Sequence, residues 1–190
     1  MGRIALGADL GGTNLRVALV DESGSVLERH RTLTPQNGGA AAIVNAIADV
    51  AGKCLKGNAT GRPVEGFTIA VPAVLDVSEG LIVESPNLPV LNGLSITKEL
   101  EKLLGVRVLL ENDANAATIG ENWLGASRGY SSSIGITLGT GVGGGIIIDN
   151  KPLRGIDGTA GEVGHICVEP LGHPCGCGSI GCLEQYASAT

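Results

Sequence analysis

The chain begins with short apolar runs separated by small and polar residues. Runs at residues 3–9, 15–20 and 25–32 have the length of β-strands, and the third alternates apolar and polar positions. The segments between them read LGGTN and DESG, and both have the composition of turns. The pattern therefore predicts two consecutive hairpins, with LGGTN at the tip of the first.

The middle of the chain changes to a helical period. In residues 39–55 the apolar side chains share one helical face, and Cys54 at its end is most simply a core residue. Further strands are predicted at residues 64–71, 74–83 (a short hairpin) and 106–110. Further helices are predicted from Ser95, as N-cap, to Leu104 and from Asn112 or Asp113 to Trp123. Strands alternating with helices predict an α/β fold.

A second glycine-rich hairpin is predicted near residue 140. A strand at 133–138 leads into GTGVGGG at 139–145, and a strand at 146–149 leads out of it to an Asp149–Asn150 turn. Residues 139–144 match the dinucleotide-binding pattern G-x-G-x-x-G, but that pattern opens a helix and these glycines lead into a strand. Two similar hairpins predict a duplicated fold that closes on a nucleotide between its halves.

The composition and charge of the chain limit the kinds of molecule that it is expected to bind. The 190 residues are 43% hydrophobic and 2% aromatic, with a net charge of −6, so the core is built from small aliphatic side chains. An acidic chain without a basic patch argues against nucleic acid or an anionic membrane as partner. No apolar run is long enough to span a membrane, and the N-terminus lacks the layout of a signal peptide.

Residues 161–184 bring three cysteines and a histidine together: His165, Cys175, Cys177 and Cys182. Three thiols and one imidazole are the ligand set of a closed tetrahedral Zn²⁺ site, and the intervening glycines let the backbone fold tightly around an ion. The alternatives are disulfides or unreactive buried cysteines, but C-x-C is too tight for an easy disulfide within the pair. We therefore predict structural zinc and, with it, a reducing cytoplasm.

Three places in the first part of the chain carry candidate ligand groups. The LGGTN tip lets phosphate oxygens approach the backbone, and Asp9 before it is able to hold Mg²⁺ through water, although an ordinary glycine turn has the same composition. Asn87 lies in a Pro-punctuated loop typical of ligand loops. Asp113 follows a strand, where α/β proteins bind ligands, unless it or Asn112 only caps the next helix.

Two carboxylates, Glu162 and Glu184, stand beside the zinc ligands near the ends of that segment. They are either solvated surface charges or hydrogen-bond acceptors for a polyhydroxylated ligand, and the residues alone slightly favour the first interpretation.

Together these segments resemble the ROK family (repressor, open reading frame, kinase), in particular its bacterial glucokinase-type sugar kinases. The resemblance runs in order through DLGGTNLRVALVD, VPAVLDVSEGLIVESPNLP, LLENDANAATIGE, LGTGVGGGIIIDNKPLRG and the zinc segment. The last two are highly specific, whereas DLGGT is shared with other actin-like sugar kinases. The resemblance implies an actin-like, ribonuclease-H-like fold of two domains, with sugar and ATP meeting in the cleft between them.

The resemblance also implies a role for each candidate residue. Asp113 is implied as the general base for the sugar 6-hydroxyl, and Asp9 as the Mg²⁺ anchor. The implied sugar ligands are Asn87, Asn112, Asp113, Glu162, His165 and Glu184. The implied phosphate loops contain Gly11, Gly12, Thr13, Gly139, Thr140 and Gly141. His165 would use one ring nitrogen for zinc and the other for sugar.

The chain departs from the family pattern in three places. Ala73 stands where a glycine is usual, and Leu91-Asn92 replace a common aromatic residue. The chain also stops at the start of a predicted helix, whereas family members continue. We expect an N-terminal small α/β domain at 1–112 and the first part of a larger domain at 113–190, with its zinc segment at 165–182. Because that second domain is incomplete, we expect this polypeptide to be a poor kinase.

The function expected from the resemblance is ATP-dependent phosphorylation of a hexose, foremost glucose, at the 6-hydroxyl, with ATP, Mg²⁺ and structural Zn²⁺. The expected partners are the sugar and ATP, without nucleic acid or membrane, and a homodimer for the full-length protein. The alternatives are a kinase for an N-acetylhexosamine or another hexose, a sugar-responsive repressor of the same family, and a non-catalytic, zinc-stabilised binding fragment.

Overall fold

Alternation of buried and exposed side chains builds the first sheet. The computed structural model describes residues 2–189. The first strands pair antiparallel in chain order: β1 (Ile4–Leu10), β2 (Asn14–Asp21) and β3 (Val26–Leu33). One face of β1 is fully buried, with Ile4, Leu6, Ala8 and Leu10. The three-stranded meander confirms the two hairpins predicted from the pattern.

The next elements complete a five-stranded sheet. They are α1 (Gly39–Lys56), β4 (Val64–Val71), β5 (Val74–Asp76), β6 (Leu81–Glu84), α2 (Ile96–Leu104) and β7 (Val108–Asn112). Strands β4 and β7 run parallel to β1, so the sheet order is β3-β2-β1-β4-β7, and β5 and β6 form a separate hairpin. The apolar face of α1 packs into this core, and Cys54 is buried there as predicted.

The remaining elements, apart from the first residue of α3, belong to a second compact unit, which begins at Ala114. They are α3 (Asp113–Leu124), β8 (Ser133–Leu138), β9 (Val142–Ile148), β10 (Lys151–Pro152) and α4 (Glu184–Ala187). Strands β8, β9 and β10 form an antiparallel sheet in the order β10-β9-β8. Asp149 and Asn150 have φ of 50° and 60°, the left-handed conformation of a two-residue hairpin turn, which confirms the turn predicted there.

Strand β9 corrects the prediction that residues 139–145 form one glycine loop. The strand begins at Val142, so only Gly139, Thr140 and Gly141 form the turn. The next three glycines are needed for close packing: a Cβ on Gly145 would lie 2.8 Å from the Thr118 Cβ, and one on Gly144 would collide with the Gly161 carbonyl oxygen. A glycine-rich composition predicts a loop, because the sequence does not show which parts of the folded chain lie close to these glycines.

Helix α2 begins after Ser95 as predicted, but Ser95 does not cap it through its side chain. Its hydroxyl donates to the carbonyl of Glu79 at 3.0 Å, which ties the helix start to the β5–β6 turn. The predicted bounds of β4 and β8 agree with the structure. Neither α1 nor any other helix within residues 2–189 combines the length and the apolar composition that a membrane crossing requires.

Candidate functional site

The parallel strands of the first sheet bring their carboxyl ends to one edge. Asp9 of β1 is in register with Ala70 of β4, which in turn is in register with Glu111 of β7. The segments that follow these strands are the Gly11–Thr13 loop, Pro72-Ala73 and Asn112-Asp113. Ligands of α/β proteins bind at such an edge, so the sheet places the candidate residues of this unit where binding chemistry is expected.

The Gly11–Thr13 loop is held through its carbonyl groups. Thr34 is buried, and its hydroxyl donates to the Gly11 carbonyl at 2.7 Å while its backbone N–H donates to the Thr13 carbonyl at 2.9 Å. Gln36 donates to the Gly12 carbonyl at 2.9 Å. The C=O and N–H of a trans peptide point in opposite directions, so the peptide N–H groups that follow these carbonyls point away from Thr34 and Gln36. This geometry suits an anion-binding loop.

Asn87 lies beside this loop. Its Cβ and carbonyl oxygen are 3.6 Å from the position that a Cβ on Gly12 would occupy, so glycine there lets the two segments approach. The Asn87 loop is fixed by buried Ser85, whose N–H donates to the Asn92 side chain at 2.8 Å and whose hydroxyl donates to the Pro72 carbonyl at 3.0 Å. Asn92, noted above only as a departure from the family pattern, therefore stabilises the loop.

Asp113 is exposed at the first position of α3, directly after β7. The preceding Asn112 donates from its side-chain amide to the Ala73 carbonyl at 3.3 Å, and its backbone N–H donates to Glu111 Oε1 at 3.2 Å. Glu111 itself is buried. These bonds fix the backbone immediately before Asp113. No sequence signal indicates that Glu111 and Ala73 supply them.

Asp9 is paired with an arginine. Its Oδ2 accepts a hydrogen bond of 2.8 Å from Arg16, the residue opposite it on β2, and both side chains are more than half exposed. Arg16 was not among the residues predicted from the sequence, although the hairpin register places the two charges opposite each other. A cation held by Asp9 would share this carboxylate with the guanidinium.

In the second unit, His165, Cys175, Cys177 and Cys182 form one cluster. Their potential ligand atoms all lie within 4.8 Å of one another. The Cys177 and Cys182 sulfurs are 3.7 Å apart, and His165 Nδ1 is 3.7 Å from the Cys175 sulfur. A tetrahedron with metal–sulfur bonds of about 2.3 Å has edges of about 3.8 Å, so the residues present fit a bound zinc ion.

The two nitrogens of the His165 ring face different groups. Nδ1 belongs to the cluster, whereas Nε2 lies 3.8 Å from a carboxylate oxygen of Glu162. Gln185, which the sequence interpretation did not single out, donates to the Cys175 sulfur at 3.6 Å. Such outer partners orient metal ligands.

The thiols of the cluster differ in acidity. A hydrogen bond from the Cys177 backbone N–H lowers the pKa of Cys175 to about 7, whereas burial raises the pKa of Cys182 to about 11. The low pKa of Cys175 makes its thiolate, the metal-binding form, accessible near neutral pH. The other two cysteines, buried Cys54 and exposed Cys167, lie outside the cluster, and all five are free thiols.

Glu184 lies against the second glycine turn. Its Oε2 accepts the backbone N–H of Val142 at 3.0 Å, and a Cβ on Gly141 would collide with the same oxygen. The structure therefore places one predicted sugar ligand in contact with one predicted phosphate loop, a relationship that the sequence did not indicate.

Comparison with known proteins identifies the family. The ROK family profile matches residues 5–190, and the chain belongs to the ROK family. It is 42% identical over 185 residues to a glucokinase of Thermotoga maritima, an alignment that covers 97% of this chain and 57% of the relative. The chain thus spans little more than half the length of that curated relative.

Solved structures agree. A ROK family glucokinase from Streptomyces griseus in complex with glucose and AMPPNP matches with a TM-score of 0.83 and 42% identity, over 97% of this chain and 57% of that one. A ROK family transcriptional regulator, a homolog of the E. coli MLC protein, matches with a TM-score of 0.87 and 28% identity, over 100% and 48%. The predicted fold class, α/β of the actin-like type shared by ROK sugar kinases, is confirmed.

Proposed function

We propose that this chain is part of an ATP-dependent hexose kinase that phosphorylates glucose at its 6-hydroxyl. The observation that carries the proposal is the arrangement at the edge of the first sheet. There the Gly11–Thr13 loop, whose geometry suits an anion, adjoins Asn87, while Asp113 follows the parallel strand β7. Similarity to the T. maritima glucokinase and to the glucose-bound S. griseus structure supports glucose as the sugar.

The reaction assigned to Asp113 is proton removal. Its carboxylate accepts the proton of the sugar 6-hydroxyl, and that oxygen attacks the γ-phosphorus of ATP. The bond from this phosphorus to the bridging oxygen breaks, which releases ADP, and the proton then passes to solvent. A positioned carboxylate base contributes roughly 10²–10⁴-fold to such a rate. The two hydrogen bonds of Asn112, to the Glu111 side chain and to the Ala73 carbonyl, hold the start of α3 and with it the base.

The sugar ligands are assigned separately in each unit. In the first they are Asn87, Asn112 and Asp113. In the second they are Glu162, His165 and Glu184. Carboxylate oxygens accept hydrogen bonds from hydroxyl groups, and the His165 ring has a second nitrogen, so these residue types suit a ligand rich in hydroxyl groups. These residues would serve glucose, N-acetylhexosamines or other hexoses, so a panel of sugars must separate the alternatives.

ATP is assigned to the two glycine turns, Gly11-Gly12-Thr13 and Gly139-Thr140-Gly141. Backbone N–H groups are suited to phosphates in a chain whose net charge is −6. Asp9 would hold Mg²⁺, which neutralises charge on the transferred phosphoryl group when bound. In that role the Asp9 carboxylate would be divided between the cation and Arg16.

Zinc is assigned to His165, Cys175, Cys177 and Cys182, because their potential ligand atoms lie within 4.8 Å of one another and three thiols with one imidazole are a typical structural zinc set. Four protein ligands leave no open position, so the ion would stabilise the loop instead of acting on the substrate. The imidazole would bind through Nδ1, which keeps Nε2 toward Glu162 and the sugar ligands of this unit.

The proposal also covers the cellular compartment, nucleic-acid binding and the oligomeric state. None of the five cysteines, all within residues 2–189, forms a disulfide, which suits a reducing cytoplasm, and the acidic charge argues against nucleic acid as a partner. A homodimer is assigned to the full-length protein, to be measured by analytical ultracentrifugation.

The deciding experiment measures ADP release with ATP, Mg²⁺ and glucose, mannose, N-acetylglucosamine or N-acetylmannosamine. It uses the 190-residue chain and a chimera in which this chain is continued by the C-terminal segment of the T. maritima glucokinase. Glucose-dependent ADP release by either protein supports the kinase. Preference for an N-acetylhexosamine would replace the substrate. Absence of release with every sugar from a folded chimera, while the parent glucokinase is active, would overturn the proposal.

A further inference from the structure

The second glycine turn is attached at both sides to the segment that begins with α4. Glu184 accepts the Val142 N–H at 3.0 Å, just after the turn, and the Ala189 N–H donates to the Gly139 carbonyl at 2.8 Å, at its start. Gly141 has room only for hydrogen on this side, because a Cβ would collide with the Glu184 carboxylate. The position of the turn therefore depends on where Glu184 stands.

The same segment is attached to the cysteine cluster. Glu184 follows the cluster residue Cys182 by two positions, and the neighbouring Gln185 donates to the Cys175 sulfur at 3.6 Å. The Leu183 N–H donates to the Ile166 carbonyl at 2.9 Å, which joins this backbone to the residue that follows His165. A short four-residue helix has little stability of its own, so these attachments hold Glu184 in place.

We propose that Glu184 is a positioning residue for the Gly139–Val142 turn, and that the metal cluster sets its position. The proposal rests on the proposed function only in naming this turn as a phosphate loop. By accepting the Val142 N–H, the carboxylate fixes the end of the turn and the directions of its remaining peptide groups. Metal bound to the cluster would thus order a nucleotide-binding element as well as the sugar ligands near His165.

Glutamine is the informative replacement at this position. Glu184→Gln keeps a side-chain oxygen that is able to accept the Val142 N–H, but it removes the charge. Glu184→Ala removes the acceptor altogether. If Glu184 acted only on sugar, the two substitutions would affect the mobility of the turn equally. If Glu184 positions the turn, only Glu184→Ala should loosen it.

The test measures backbone amide hydrogen exchange by NMR in the zinc-loaded 190-residue chain. We expect the Val142 amide to exchange at least about tenfold faster in Glu184→Ala than in the wild type, the factor expected for loss of one charge-assisted hydrogen bond. Glu184→Gln should stay much closer to the wild type. The amides of the β8–β9 ladder serve as the internal reference, and Glu169→Ala is the matched carboxylate control from the cysteine segment.

Two results would overturn the proposal. One is unchanged Val142 exchange in Glu184→Ala with the β8–β9 ladder intact. The other is unchanged Val142 exchange after a chelator has removed the metal, which would break the link to the cluster. If Glu184→Ala unfolds the ladder, the chelator experiment and Gln185→Ala decide, since both leave the carboxylate in place. None of these measurements requires kinase activity, so failure here is distinct from failure of ADP release.

Discussion

The Nδ1 atom of His165 lies 3.7 Å from the sulfur of Cys175, close to the edge length of a tetrahedral zinc site. The opposite nitrogen of the same ring lies 3.8 Å from Glu162. One side chain thus joins the cysteine cluster to a carboxylate proposed to bind sugar. A metal bound at Nδ1 would therefore also fix the direction in which Nε2 points.

We expect one zinc ion per chain, bound by this cluster. Cys177→Ser should lower zinc affinity by more than the roughly 10–100-fold typical of changing an outer partner, because it removes a direct ligand. It should also lower the melting temperature. Metal analysis after dialysis and thermal unfolding measure both effects. Cys167→Ser, an exposed cysteine outside the cluster, is the control and should bind zinc like the wild type; equal zinc content in both variants would contradict the assignment.

The clustering of His165, Cys175, Cys177 and Cys182 was predictable, because Cys and His carry their chemistry in their identity and close spacing keeps them together. Gln185 was not predictable, since an amide that donates to sulfur has no sequence signature. The Glu184–Val142 bond was equally hidden, because it joins residues 42 positions apart. Most strands and helices were predicted correctly from the sequence. The prediction was wrong at Val142–Gly145, which begins a strand, because close packing against Thr118 and Gly161 requires glycine there and no turn does.

Replacement of the proposed base tests the chemistry. Asp113→Asn should lower kcat by roughly 10²–10⁴-fold, because the amide is unable to accept the proton, while the dissociation constant for glucose changes little. A coupled assay of ADP release measures kcat, and titration calorimetry measures the dissociation constant. Both use the 190-residue chain if it is active, and otherwise the chimera. Asp49→Asn, on the exposed side of α1, is the matched control. Turnover retained in Asp113→Asn would remove this residue from the mechanism.

Acid should weaken the first unit at its aspartate turns. The Ser78 hydroxyl, donating at 2.6 Å, holds the pKa of Asp76 below its ordinary value of 3.8, and the backbone N–H groups of Glu79 and Ser78 add to the effect. A lowered folded-state pKa gives stability that is present above pH 3.8 and is lost as pH falls through the folded value. Asp76→Asn should therefore be less stable than the wild type at pH 7, with the difference shrinking below pH 3.8. Denaturant unfolding across this range measures it, and a constant difference would contradict it.

Packing requires glycine in β9. Replacing it with alanine should therefore destabilise the protein, whereas the same replacement at an exposed helical glycine should stabilise it. Gly145→Ala would bring a Cβ to 2.8 Å from the Thr118 Cβ and 3.0 Å from the Ala114 carbonyl oxygen, so the strand or α3 must shift. Overpacking of this kind destabilises by about 1–3 kcal/mol. Gly120→Ala, in the exposed part of α3 with no neighbour in reach of the new Cβ, should stabilise by about 0.5–1 kcal/mol because alanine loses less backbone entropy.

Urea unfolding of both variants measures the pair of effects under one condition. Opposite signs would establish that Gly145 serves contact between β9 and α3, whereas the composition of the segment had indicated a flexible turn. Stabilisation by Gly145→Ala would mean that Thr118 moves aside without cost, and the packing reason given for the start of β9 at Val142 would fail.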